Sequence, residues 1–122
     1  AIDLATREVL WDKPLGTARN NGPFGIPSRL PFTIGTPNNG GSVITAGGLI
    51  FIAATTDDLI RAIDIDTGEV VWQDVLPAGG QATPMTYQSR SGRQMVVVVA
   101  GGHGSLGTKA GDSVIAYALP RR

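Results

Sequence analysis

Cysteine is absent from the 122 residues. Disulfides and thiolate metal sites are thereby excluded within the chain, although the compartment is not fixed by that absence. Neither sign of charge is in excess: ten Lys and Arg balance ten Asp and Glu, with a pI near 6.8. A neutral balance argues against a nucleic-acid footprint, which shows as a basic patch or stripe. No apolar run is long enough to span a bilayer, and no signal-like segment opens the sequence. Both absences bind only this stretch of chain. Sustained 3.6-residue periodicity is also missing, so no helix is predicted.

Aromatic residues are few, yet the two tryptophans close the same phrase. Ala1 to Trp11 reads Ala-Ile-Asp-Leu-Ala-Thr-Arg-Glu-Val-Leu-Trp, and Ala62 to Trp72 reads Ala-Ile-Asp-Ile-Asp-Thr-Gly-Glu-Val-Val-Trp, identical at seven of eleven positions. A truncated third copy begins at Ala116-Tyr117-Ala118. Repetition at a spacing of tens of residues marks a repeat architecture. Each copy predicts strand, tight turn, strand. Asp64 and Thr67 suit local bonding to turn amides, and Gly68 suits the positive φ of a tight hairpin. Arg7 stands where the second copy has Gly68, so that turn must be reshaped or must hold a non-glycine at an unfavourable φ. A tryptophan at a fixed repeat position is expected to dock between units. Trp72, which has a following unit, is expected to be the more firmly packed of the two.

Further strands are predicted at 43–45, 49–54, 82–87, 94–100 and 113–118, separated by Gly, Pro, Asp and Ser turns. Met95 to Ala100 shows no polar alternation, which predicts a strand covered on both faces. Small four-stranded sheets around an axis satisfy this, pointing to a β-propeller. The units are then 1–16 as the end of one blade, 17–42 as an inserted loop rich in Gly, Pro and Asn, 43–76 as a complete blade, and 77–122 as a last, incomplete one. One whole blade between two incomplete ones cannot close a ring. The fold class expected is therefore all-β, a fragment of a larger propeller of four-stranded antiparallel blades, with exposed strand edges through which the fragment would self-associate.

The repeated Ala-x-Asp-x-x-Thr-Gly-x-x-x-Trp phrase resembles the tryptophan-docking repeat of the quinoprotein dehydrogenases, eight-bladed propellers that carry pyrroloquinoline quinone (PQQ). Ala62 to Trp72 matches it fully and Ala1 to Trp11 departs only at Arg7. Thr45 to Phe51 resembles a segment found across the wider family. Leu76 to Tyr87, Ala100 to Lys109 and Ile115 to Pro120 resemble the C-terminal end of the membrane-bound glucose and quinate/shikimate dehydrogenase branch. The resemblance implies oxidation of a sugar or cyclic polyol at the periplasmic face of the bacterial inner membrane, with electrons passed to ubiquinone. It implies PQQ and a divalent ion, Ca²⁺ or Mg²⁺, as cofactors. The catalytic base and the metal ligands would lie in earlier blades, so no catalytic or metal-binding residue is assigned here, and this stretch alone is expected to be inactive.

Three residues are candidates for cofactor binding. His103, the single histidine, lies in Gly101-Gly102-His103-Gly104 straight after the apolar strand. On the residues alone a solvent-exposed loop histidine is the ordinary reading. The resemblance implies a place close to the quinone, with Gly102 letting the backbone approach. Asn39 occupies the position where related alcohol-oxidising members carry a cofactor-proximal Trp. It reads equally as part of an Asn-Gly turn. Lys109 and Asp112 are expected to pair and hold the Gly-rich loop, the alternative being that they reach a ligand, and Asp57 and Asp58 to be turn formers near Arg61. Gly79-Gly80-Gln81 is no phosphate loop, since no helix or Lys follows. The rival from another class is a non-catalytic propeller scaffold for protein binding, which has no need of the Gly-Gly-His-Gly loop.

Overall fold

A computed structural model describes residues 1–120. The last predicted unit runs to 122, and its final positions, Arg121 and Arg122, lie outside the described residues. Two antiparallel sheets form. The first, in order β1-β2-β3-β4, comprises β1 (Ser42–Ile44), β2 (Leu49–Ile52), β3 (Leu59–Asp64) and β4 (Val70–Val75). The second, in order β5-β6-β7, comprises β5 (Met85–Gln88), β6 (Gln94–Ala100) and β7 (Ser113–Ala118).

The repeated phrase builds the same turn twice. Asp64 Oδ1 accepts from the Asp66 and Thr67 amides at 3.0 and 2.9 Å, and Gly68 N–H returns to the Asp64 carbonyl at 2.9 Å. In the first copy Asp3 Oδ1 accepts from Ala5 and Thr6, and Arg7 N–H reaches the Asp3 carbonyl at 2.7 Å. Gly68 takes φ 69° and Arg7 takes φ 63°. The turn is thus not reshaped. Arg7 adopts the left-handed conformation that glycine adopts freely and that a Cβ makes costly. The flanking strand of the first copy is reduced to a bridge between Ile2 and Val9.

The sheets pack face to face. Ala53, Ile60 and Leu76 of the first unit bury against Val98 and Ala100 of the second, with Ala78 of the connection and Ile115 and Tyr117 beside them. Each large aliphatic side chain removed from water here contributes about 1.5–3 kcal/mol. In β6, Val96, Val98 and Ala100 are buried, whereas Val99 stays open. The expectation of cover on both faces therefore does not hold among the described residues: the strand is apolar throughout, but only one face has a partner sheet.

Both tryptophans join units, with their importance reversed from expectation. Trp11 lies on the turn of the complete sheet, donating its indole N–H to the Ile65 carbonyl at 2.8 Å. A Cβ on Gly68 would stand 2.6 Å from the indole ring, so only glycine admits this docking. Trp72 meets Tyr117 edge-on, with ring centroids 5.0 Å apart, and remains 38% exposed. Trp11 thus gains a hydrogen bond and a fitted seat, and Trp72 gains one aromatic contact.

Candidate functional site

Alternation of strand direction brings four loops to one end of the two sheets. These are the approach to β1, the β2–β3 loop, the β4–β5 loop and the β6–β7 loop. Backbone bonds lace them together. Ala54 N–H reaches the Gly80 carbonyl at 2.8 Å, Asn39 N–H the Ala54 carbonyl at 3.0 Å, Gly102 N–H the Gly79 carbonyl at 2.8 Å, and Gly79 N–H the Lys109 carbonyl at 3.0 Å.

This lacing brings Asn39 and His103 together, although 64 residues separate them. Asn39 Nδ2 lies 3.2 Å from His103 Nε2 across the seam between the sheets. With the amide nitrogen facing it, Nε2 acts as acceptor and the neutral ring carries its proton on Nδ1. That Nδ1 is buried and has no protein partner. A buried donor without an acceptor is uncommon. Gly102 adopts φ 75°, and a Cβ there would collide with the Lys109 carbonyl, so the glycine is required for the loop to fold back beside His103.

Two other expectations change. Asp57 does form the turn, its Oδ1 accepting from Leu59 N–H at 3.3 Å, but it is also fully buried and pairs with buried Arg61. Its Oδ2 accepts from the Thr17 amide and hydroxyl at 2.7 and 2.9 Å, and its Oδ1 from Thr55 Oγ1 at 2.6 Å. Burial opposes ionisation of this carboxyl. The hydrogen bonds from Arg61 and Thr55, the guanidinium charge and the Thr17 amide outweigh it and bring the pKa down to about 2. The group therefore clamps the 17–41 segment onto the sheet. Asp58 sits beside it at φ 59° and accepts from Asn20 Nδ2 at 2.7 Å. Lys109 and Asp112 form no ion pair; the loop is closed instead by the Gly111 N–H to Gly101 carbonyl bond at 3.1 Å.

The residue missed in the sequence is Gln81. Its side chain joins Thr55 of one unit to Thr108 of the other, at 3.0 and 2.9 Å. Among the described residues no group of three or more His, Asp or Glu side chains is placed to hold a metal ion. No helix among the described residues is long and apolar enough to cross a membrane.

Antiparallel four-stranded packing, tryptophan docking between units and loops converging at one end define a piece of a β-propeller. Comparison with known proteins narrows this. The model described as "PQQ: Glucose/ethanol/alcohol dehydrogenase, beta-propeller domain" matches residues 1–96. The chain belongs to this family of quinoprotein dehydrogenases. It is 60% identical over 121 residues to the glycerol dehydrogenase large subunit of Gluconobacter oxydans (strain 621H), covering 98% of this chain and 16% of the relative. It is 55% identical over 120 residues to the quinoprotein glucose dehydrogenase of Escherichia coli (strain K12), covering 98% and 15%. With the quinate/shikimate dehydrogenase (quinone) of Acinetobacter baylyi (strain ATCC 33305 / BD413 / ADP1) it shares 48% over 122 residues, covering 99% and 15%. Among solved structures, a europium-containing methanol dehydrogenase is similar, with TM-score 0.52 and 41% identity over 54% of this chain and 11% of that one. The chain spans about 15–16% of the length of these curated relatives.

Proposed function

We propose that the chain works as part of a PQQ-dependent dehydrogenase that oxidises a hydroxyl of a sugar or related polyol, with Asn39, Gly102 and His103 on the cofactor side of the site. The observation that carries this reading is the Asn39–His103 pair, held across a seam between two sheets at the end where the loops converge. The fit is chemical: the Asn39 carboxamide is exposed beside the imidazole and offers hydrogen-bonding groups to a quinone rich in carbonyl and carboxylate oxygens. Bound there, the quinone supplies hydride acceptance, the chemistry that side chains lack.

The chain's own part is binding and orientation. Asn39 holds Nε2 of His103, which keeps the ring proton on Nδ1 and aims it away from the Asn39 side. Gly102 permits the tight return of the loop that places the imidazole. The catalytic base and the divalent ion, Ca²⁺ or Mg²⁺, are assigned to other parts of the enzyme. Against a non-catalytic scaffold stand the family match and the paired polar side chains, which such a scaffold does not need.

Glucose is the substrate we propose first, with quinate or shikimate as the alternative. The 60% identity to a glycerol dehydrogenase large subunit adds an open-chain polyol to the class. Ubiquinone as electron acceptor and a place at the periplasmic face of the inner membrane complete the proposal. The test is a dehydrogenase of full length carrying this chain, reconstituted with PQQ and Ca²⁺ or Mg²⁺ and assayed with glucose, glycerol and quinate. PQQ-dependent oxidation of at least one is expected. No oxidation of any, in a folded protein that binds PQQ, overturns the reading.

A further inference from the structure

Two hydrogen-bond routes leave the Asn39–His103 pair, and both arrive at Gly80-Gln81. From one side, Asn39 N–H bonds the Ala54 carbonyl and Ala54 N–H bonds the Gly80 carbonyl. From the other, His103 N–H donates to Thr108 Oγ1 at 2.8 Å, and that hydroxyl donates to Gln81 Oε1 at 2.9 Å. Gln81 Nε2 then donates to the Thr55 carbonyl at 3.0 Å, and the Thr55 hydroxyl is bound to the buried Asp57.

The direction of each bond is set. Thr108 Oγ1 accepts from the His103 amide and has two acceptors for its single proton. The Gln81 Oε1 at 2.9 Å is much nearer than the His103 carbonyl at 3.5 Å, and with Oε1 so used the carboxamide turns its NH₂ toward Thr55. The backbone leaves room for nothing else. A Cβ on Gly79 would collide with the Thr108 hydroxyl and the Gln81 amide, and one on Gly40 would stand 2.6 Å from the Gln81 carbonyl. Resting on the reading of Asn39 and His103 as cofactor-side residues, we infer that Gln81 and Thr108 are positioning residues. Together they fix where the imidazole of one unit stands relative to the amide of the other, without touching the ligand themselves.

The test uses the full-length enzyme carrying this chain, titrated as apoenzyme with PQQ, together with apo crystal structures. Losing one hydroxyl hydrogen bond on each side, Thr108→Val is expected to weaken PQQ binding by about three- to ten-fold. Thr108→Ser, which keeps the hydroxyl, restores wild-type affinity. In a His103→Ala background Thr108→Val changes affinity less than about two-fold, as expected for a residue acting through the imidazole. Thermal melting of Thr108→Ser guards against a folding artefact. The inference is overturned if Thr108→Val leaves affinity unchanged while His103→Ala weakens it, or if it loses the same factor in both backgrounds. It is overturned as well if the apo Thr108→Val structure keeps the Asn39–His103 contact. A different outcome, in which Thr108→Val opens that contact but His103→Ala binds PQQ normally, confirms the positioning and overturns the cofactor reading on which it rests.

Discussion

The indole of Trp11, which closes the first copy of the repeated phrase, rests on Gly68, the turn glycine of the second copy. Repeat and docking surface are here one device: Trp11 is seated on the next unit's turn, whereas Trp72 meets Tyr117 of β7. Two substitutions separate the parts. Gly68→Ala both meets the indole and places a Cβ at φ 69°, so a loss of about 2–4 kcal/mol is expected. Arg7→Gly, at the matching position with no such seat, should instead stabilise by up to about 1 kcal/mol by removing a strained φ of 63°. Denaturant unfolding of both variants measures the pair of signs, and equal signs would contradict the shared-turn argument.

Trp11→Ala is expected to cost more than Trp72→Ala. Loss of a well-packed Trp costs about 3–5 kcal/mol, and Trp11 also gives up its bond to Ile65. Trp72 is already 38% exposed and loses one edge-to-face contact with Tyr117. Urea midpoints of the two variants rank them, and a larger loss at Trp72 reverses the conclusion.

How much of this was legible in the sequence differs between residues. β6 and β7 were readable to within a residue, because apolar runs bounded by glycine and polar turns carry their own limits. The β5 strand starts at Met85, later than composition suggests, since Pro84 has no N–H to give a ladder. Asn39, Gly102 and His103 could be singled out, and the structure places them together. What was hidden depends on non-local partners. Asp57 looks like half of an Asp-Asp turn until Thr17, forty residues away, is seen to donate to it twice. Gln81 carries no local signal, because its role exists only once the Thr55 and Thr108 loops converge.

Asp57 makes a pH prediction. Its folded pKa, about 2, lies below the 3.8 of an unperturbed carboxyl. The folded state therefore holds the charged form more strongly than the unfolded state does. Its contribution is complete above about pH 4 and fades as pH falls toward 2, amounting to roughly 2 kcal/mol. Asp57→Asn leaves Arg61 buried without its counter-charge, which typically costs about 3–5 kcal/mol. Thermal melts between pH 2 and pH 5 should show the wild-type slope and a flatter Asn variant. Parallel curves would assign the acid sensitivity to other carboxyls.

The second sheet leaves an apolar face open, with Met85, Tyr87, Val99 and Val114 on it, the last 70% exposed. β6 pairs on both sides, whereas β5 and β7 each have a free edge. Open edges and a continuous apolar face favour pairing with another copy, because the edges offer unpaired N–H and C=O groups to a partner strand and the face withdraws apolar surface from water. The isolated chain is accordingly expected to self-associate at micromolar concentration. Val99→Lys with Val114→Lys should shift it toward monomer, since burying either ammonium in the new contact is costly. Sedimentation equilibrium of the two proteins, with circular dichroism to verify that the sheets survive, gives the answer. A wild-type chain that stays monomeric would show that neither the face nor the edges are sticky, and an equally associated double variant would move the contact to the edges alone.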